Sequence, residues 1–388
     1  MGAWWGTSNF CERAFLFFAG GYIRGRYFNP MTSPLLDESL RVAVECGSSD
    51  LILHLNKPPM VRMNGQLTTL QSPPFLDSDF DVLWARCRAQ NNELDHDSSL
   101  TTPEGSRFRV NLLHQLGNRA AVLRRISSDI PDLEALGVPA DLLRDWSSRK
   151  SGIIILSGPT GSGKSTTVAA ALEYINQTFS RHVVTIEDPV EYVFHSKVSL
   201  FTQREVGIDT SSFAEGLRRS LRQNPDVIFL GEIRDAVSAV TAIQAAETGH
   251  LVYATLHAST CADVVDRLQL LFPPTERESV RKTLSSQLLG VLCQRLLPST
   301  DGGRALLCEY FSNTGYSRKI ISEGKMGELH DLISRSDPEN ARSFMASLMQ
   351  LLRDGRVEES VARENAENPQ EFDRQLRGIS SSSQATRR

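Results

Sequence analysis

The run Gly158-Pro159-Thr160-Gly161-Ser162-Gly163-Lys164-Ser165-Thr166 constrains this chain more than any other feature, because it fits G-x-x-x-x-G-K-[ST] between two segments of opposite character. Upstream, Ile153-Ile154-Ile155-Leu156 reads as a buried parallel strand; downstream, Thr167-Val168-Ala169-Ala170-Ala171-Leu172 opens a helix. In that setting the amides of the glycine-rich turn and of the helix N-terminus cradle phosphates. Lys164 reaches the β- and γ-phosphates and the Ser165 hydroxyl holds Mg²⁺. All nine residues, Gly158, Pro159, Thr160, Gly161, Ser162, Gly163, Lys164, Ser165 and Thr166, are therefore expected at a nucleotide, with ATP and Mg²⁺ as cofactors.

With 388 residues, of which 40% are hydrophobic, the chain exceeds one comfortable domain, and two folded domains with tails are expected. Lys and Arg number 42 against 46 Asp and Glu, a formal charge of −4, which lacks the basic excess of a dedicated nucleic-acid binder. The six cysteines, at 11, 46, 87, 261, 293 and 308, form neither a C-x-x-C pair nor a Cys/His zinc spacing. Reduced thiols in a cytosol follow. The aromatic-rich first thirty residues are too short in their apolar part for a transmembrane span and lack a basic signal-peptide start. A true start at Met31, a membrane-surface anchor and a disordered extension are the readings they leave open.

From Ser33-Pro34 a capped helix is expected, ending by Gly47, then strands at 50–55, 59–63 and 66–70, the last two joined by Asn64-Gly65, a strong hairpin signal. A helix over 79–89 and strands at 106–112 and 120–126 complete an α+β domain. Beyond it, strands at 153–156, 182–186, 227–230 and 251–256 alternate with helical stretches, the grammar of an α/β domain with a parallel sheet. From about Pro273 the pattern is helical. The expected divisions are 1–32 as an extension, 33–130 as the N-terminal domain, 131–150 as linker and short helices, 151–375 as the nucleotide-binding domain with C-terminal helices, and 376–388 as a disordered tail.

Ligands of open parallel sheets lie beyond the carboxyl ends of the strands. The second strand ends in Glu187-Asp188-Pro189, and the third runs into Gly231-Glu232, with glycine where an aspartate commonly closes such an apolar run. Glu232 is thus the candidate to orient or deprotonate an attacking water, with Glu187 aiding Mg²⁺ and water indirectly. Ser165 is the direct metal ligand. His257, at the end of the fourth strand, fits a phosphate sensor or a subunit contact; His250 lies at the opposite end of its strand.

Thr185-Ile186-Glu187-Asp188-Pro189-Val190-Glu191-Tyr192 resembles the Asp box of secretion-type ATPases, Gly231-Glu232-Ile233-Arg234-Asp235 their Walker B, and the stretches 246–250 and 255–258 their His box. Gln203-Arg204-Glu205-Val206-Gly207 is similar to the segment after the Asp box in type IV pilus retraction ATPases. The likeness runs from about Leu35 to Gly378, and 123–126, 129–131 and 222–226 look closer to the PilU branch than to PilT. It implies a PAS-like N-terminal domain, a RecA-like P-loop motor, and a homohexamer with ATP at subunit interfaces. It further implies that Arg109 and Arg124, at positions matching family arginines, reach the phosphates. Pilus retraction from the cytoplasmic face of the bacterial inner membrane follows, with an inner-membrane platform protein as partner and a paralogous retraction ATPase as a second. The absent C-x-x-C pairs favour retraction over extension, while Gly315-Tyr316-Ser317-Arg318-Lys319-Ile320-Ile321 departs from the PilT pattern. The alternatives are a type II or type IV secretion ATPase of the same superfamily, a weakly hydrolysing adaptor, and a DNA translocase, the last disfavoured by charge.

Overall fold

The computed structural model describes residues 32–378 except 64, 90–93, 336 and 338, and the chain divides into two compact units, 1–128 and 129–388. The extension 1–31, the hairpin residue Asn64 and the tail 379–388 lie outside the described residues.

The first unit contains helix α1 (Pro34–Glu45), strands β1 (Asp50–His54), β2 (Met60–Met63) and β3 (Gln66–Thr69), helix α2 (Asp77–Arg86), and strands β4 (Asp95–Thr101), β5 (Arg107–Gln115) and β6 (Asn118–Arg125). Ser33 caps α1 as expected, its hydroxyl accepting from the Leu36 amide at 3.0 Å, and Gly47 at φ +67° ends the turn that follows. β2 and β3 pair antiparallel from Met60 opposite Thr69 to Met63 opposite Gln66. The strands form one antiparallel sheet in the order β3-β2-β1-β6-β5-β4. Leu36, Leu40, Phe80, Leu83 and Trp84 of the helices pack with Leu51, Leu53, Phe108, Val110 and Leu123 of the sheet. Strand β4 was not expected: its sequence, Asp-His-Asp-Ser-Ser-Leu-Thr, has the polarity of a loop, and its strand form comes from pairing with β5 at the sheet edge.

The second unit runs α3 (Ala140–Ser148), β7 (Gly152–Ser157), α4 (Lys164–Thr178), β8 (His182–Glu187), β9 (Leu200–Glu205), α5 (Phe213–Ser220), β10 (Val227–Leu230), α6 (Ala236–Glu247), β11 (Leu251–Leu256), α7 (Cys261–Leu270) and α8 (Arg277–Gln287). It continues with β12 (Leu288–Pro298), β13 (Arg304–Ser312), α9 (Gly315–Glu323), α10 (Met326–Ser334), β14 (Ala341–Arg342), α11 (Phe344–Arg353), α12 (Glu359–Asn365) and α13 (Pro369–Leu376). The sheet order is β14-β13-β12-β7-β11-β10-β8-β9, parallel from β12 to β9 and antiparallel at the β14-β13-β12 end. Helices cover both faces. Ile153, Ile155, Ile228 and Val252 meet α5, α6 and α7, while Ile154, Leu156, Phe229 and Tyr253 meet α3 and α4.

Two expectations are corrected here. The segment after Pro273 is not uniformly helical: β12 and β13 pair along nine register positions, and β12 lies parallel against β7 in the middle of the sheet. Burial on both faces removes the period-2 alternation that would have marked β12 as a strand. The stretch 131–150, expected as linker and short helices, does carry short helices, Leu133–Leu136 and Ala140–Ser148, but is built into the second unit, where Leu143 and Trp146 are buried beneath α4 and the Trp146 indole donates to the Ser312 hydroxyl at 3.2 Å.

Candidate functional site

β7, β11, β10 and β8 are parallel neighbours in sequence across the sheet, so their carboxyl ends open on one edge. The phosphate loop follows β7, Glu187 is the last residue of β8, Glu232 lies two residues past β10, and His257 follows β11 directly. With Thr160, Gly161, Ser162, Gly163, Lys164, Ser165 and Thr166 they line one cleft of about 490 Å³. The side chains predicted from four separate parts of the chain are therefore brought together by strand order. Arg109 and Arg124 belong to the first unit, where the register places them directly opposite each other on β5 and β6.

Gly158 and Pro159 form the back of the loop. The Lys164 ammonium, 8% exposed, donates to both of their carbonyls at 2.9 Å, and burial pulls it below the ordinary lysine range against the opposing pull of Glu191 and Glu232. Gly158 has φ +138°, and a Cβ there would lie 2.2 Å from the Gln294 carbonyl oxygen on β12. Neither the backbone angle nor the neighbouring strand tolerates a side chain. Gly158→Ala is expected to lower stability by at least about 2 kcal/mol and to abolish nucleotide binding, measured by thermal unfolding with and without ATP. An alanine variant whose melting temperature still rises normally with ATP would show that the loop has room.

Gly163, at φ +88°, turns the chain into α4, whose first intrahelical bond is Thr167 N–H to Gly163 O at 3.0 Å. The amides of that first turn have no acceptor inside the helix and lie at the positive end of its dipole, and their residues, Lys164, Ser165 and Thr166, line the cleft. The Ser162 hydroxyl is buried without a hydrogen-bond partner. An orphaned buried hydroxyl, free amides, a buried ammonium and a glycine cradle fit a bound polyphosphate. Ser165 lines the same cleft.

Glu187 is 6% exposed. Burial pushes its carboxyl up to about 7, partly countered by hydrogen bonds from Thr185 Oγ1 to Oε1 at 2.7 Å and from Gln203 Nε2 to the same oxygen at 3.2 Å. Near neutral pH it therefore exchanges a proton readily, and a cation brought close would favour its ionised form. Glu232 is held from two sides. Arg234 Nε donates to its Oε2 at 2.7 Å, and His257 Nε2 lies 3.5 Å from its Oε1. His257 Nδ1 is 3.1 Å from Gly158 O, so the imidazole spans the phosphate loop and the carboxylate. A neutral ring donates to one of these oxygens and an imidazolium to both.

Gly231 explains why no aspartate ends β10. A Cβ there would come 3.1 Å from Ile186 O and 3.3 Å from Glu187 Cα, tight against the backbone that carries Glu187. Thr255 on β11 donates its hydroxyl to Gly231 O, tying the two strand ends together.

Several contributors were not singled out from the sequence. Ser157 donates to Leu256 O at 2.8 Å and accepts from the Ala258 amide at 2.8 Å, which fixes the backbone on both sides of His257. Gln294 Nε2 donates to Thr167 Oγ1 at 2.8 Å, and Leu296 lines the cleft, both from β12. Arg234 lay within a quoted motif, but its approach to Glu232 is visible only in three dimensions. His250 caps the end of α6, its Nδ1 2.8 Å from Ala245 O, and stays at the far end of β11.

Residues 83–338 match the family described as type II/IV secretion system protein. The chain is 37% identical to the type IV pilus retraction ATPase PilT of Pseudomonas aeruginosa over 343 residues, covering 87% of this chain and 99% of that protein. It is 35% identical to the type IV pilus ATPase PilU of the same organism, covering 86% of this chain and 89% of that protein. These near-equal identities do not separate the two branches. A crystal structure of the pilus retraction motor PilT with bound ADP superposes with a TM-score of 0.79 at 39% identity, covering 87% of this chain and 99% of that one. With a matching family over more than half of its length and near-complete coverage of PilT, the chain belongs to the type II/IV secretion system protein family, among its PilT- and PilU-related ATPases.

Proposed function

We propose that this chain is a Mg²⁺-dependent ATP hydrolase that works as a homohexameric ring at the cytoplasmic face of the bacterial inner membrane and powers type IV pilus retraction. The observation that carries the hydrolytic part is the convergence of the phosphate loop, Glu187, Glu232 and His257 in one cleft. The retraction part is supported by similarity to PilT and PilU along nearly the whole of the PilT chain. In this reading the first unit is the moving N-terminal domain and the second unit, which includes 131–150, the motor; the partners are an inner-membrane platform protein and a paralogous retraction ATPase.

Gly158 to Thr166 hold the phosphates, and Lys164 exchanges its own loop carbonyls for phosphate oxygens. When bound through Ser165, Mg²⁺ supplies neutralising charge to those oxygens. Glu232 orients the attacking water and takes its proton, with Arg234 and His257 restricting where its carboxylate points. Glu187 steadies water on the other side of the cleft. His257, joined to both Gly158 O and Glu232, is placed to relay the state of the loop to that carboxylate.

Glu232→Gln tests the assignment. The amide keeps size but cannot take a proton, so hydrolysis should fall about a hundredfold while ATP affinity changes little. Single-turnover hydrolysis and equilibrium binding of a fluorescent ATP analogue measure the two quantities. Lost affinity with normal turnover of the remaining bound ATP would move the role to Glu187.

A further inference from the structure

We infer that Gln203, on the edge strand β9, is a positioning residue for turnover that acts through Glu187: its carboxamide fixes which way the Glu187 carboxylate is presented to the cleft. The inference rests on the role proposed above for Glu187.

β9 pairs with β8 so that Gln203 stands beside Thr185 and Glu205 beside Glu187. From that place the Gln203 amide is used at both ends. Its Nε2 donates to Glu187 Oε1 at 3.2 Å and to Tyr192 O at 2.8 Å, and its Oε1 accepts from the Phe194 amide at 2.9 Å. Residues 188–194 follow Glu187 as a loop, and Glu191, Tyr192 and Phe194 line the cleft. Two further contacts from β9 hold the same loop. Glu205 accepts from the Val190 amide at 3.3 Å, and the Phe201 ring stacks on Phe194 with centroids 4.4 Å apart.

The clamp reaches the phosphate loop through Tyr192, whose hydroxyl lies 2.9 Å from Thr166 Oγ1 in the first turn of α4. One carboxamide therefore links the acid at the end of β8 to the helix that carries Lys164 and Ser165. With Oε1 held by Thr185 and Gln203, Oε2 keeps only a long 3.4 Å contact with the Glu191 amide. That asymmetry sets which oxygen is available to the cleft. No apolar residue of the same length could replace the amide, because both its donors and its acceptor are engaged.

The test is a double-mutant cycle on the full-length protein with Mg·ATP, using Gln203→Met, which preserves length and removes every polar contact, Glu187→Ala, and the double variant. Gln203→Met should lower kcat by about ten- to a hundredfold, the usual weight of a hydrogen bond to a charged group, with KM within about threefold. The double variant should be no slower than Glu187→Ala, since the amide acts through the carboxylate. A loss in Glu187→Ala with normal kcat in Gln203→Met overturns the inference alone. Losses that multiply in the double variant also overturn it, since Gln203 would then act elsewhere. Near-normal turnover in Glu187→Ala overturns the assignment of Glu187 and the inference together. If Gln203→Met melts early, Gln203→Glu serves in its place: it keeps the acceptor for Phe194 and lacks the amide donors, and unimpaired kcat in that variant counts against the inference.

Discussion

Lys164→Ala will purify as folded protein and hydrolyse ATP on the order of 10³ more slowly than the parent, the weight of a single well-placed charge contact in a dry site. Its stability should change little. Lys164 opens α4, where alanine is at least as good a helix former, and the helix is held by Val168, Ala171, Leu172 and Ile175, none of which the substitution touches. Of the two carbonyls that lose the ammonium, Pro159 belongs to an exposed residue and Gly158 O still has His257 Nδ1 at 3.1 Å, so the change removes a desolvated charge without stranding its acceptors. Phosphate release at saturating Mg·ATP and a thermal melt measure the two halves of the prediction. A folded variant with near-parental turnover would remove the phosphate loop from the chemistry and with it the ATPase assignment.

What local rules control was legible in the sequence. The turn into α4, the cap of α1 and the antiparallel pairing of β2 with β3 each depend on residues within a few positions, and each formed where the pattern placed it. The rule that parallel sheets bind ligands beyond their strand ends then gathered Glu187, Glu232 and His257 at one edge, although strand order was unknown. What failed depends on non-local pairing. Nothing near Leu288 announces that β12 will sit between β7 and β13, so Gln294 and Leu296 could not be assigned to the cleft. β9 was missed for a related reason: Leu200 is exposed and the residues after it half-buried at a sheet edge, and the strand is defined by its register with β8 rather than by an apolar run. The motif containing Gln203 was noticed, but its meaning is a matter of which oxygen and which amide it faces.

The arginine pair of the first unit leads to the largest expected effect. Arg109 and Arg124 stand directly opposite each other on β5 and β6, an arrangement of like charges that costs a sheet stability. Asp50, 5% exposed on β1, offsets part of it by accepting from Arg124 Nε at 3.0 Å, with Arg62 Nε 3.6 Å from its other oxygen. Arg124 is thus anchored through Nε while its side chain remains 71% exposed, the disposition of a guanidinium presented outward. If it reaches ATP held by an adjacent subunit, Arg124→Ala should lose roughly 10³–10⁵ in rate while still binding nucleotide, the range found for arginines supplied in trans. The fold should survive, because Arg62 remains beside Asp50. The trans arrangement is checked by mixing Arg124→Ala with Lys164→Ala. Each variant alone is inactive, yet in randomly mixed closed rings roughly a quarter of the interfaces join an intact phosphate loop to an intact arginine. Activity should reappear on mixing and rise with total protein concentration as rings assemble. Recovery that never comes despite co-assembly seen by light scattering, or a fully active monomer, would count decisively against catalysis across the subunit interface by these residues.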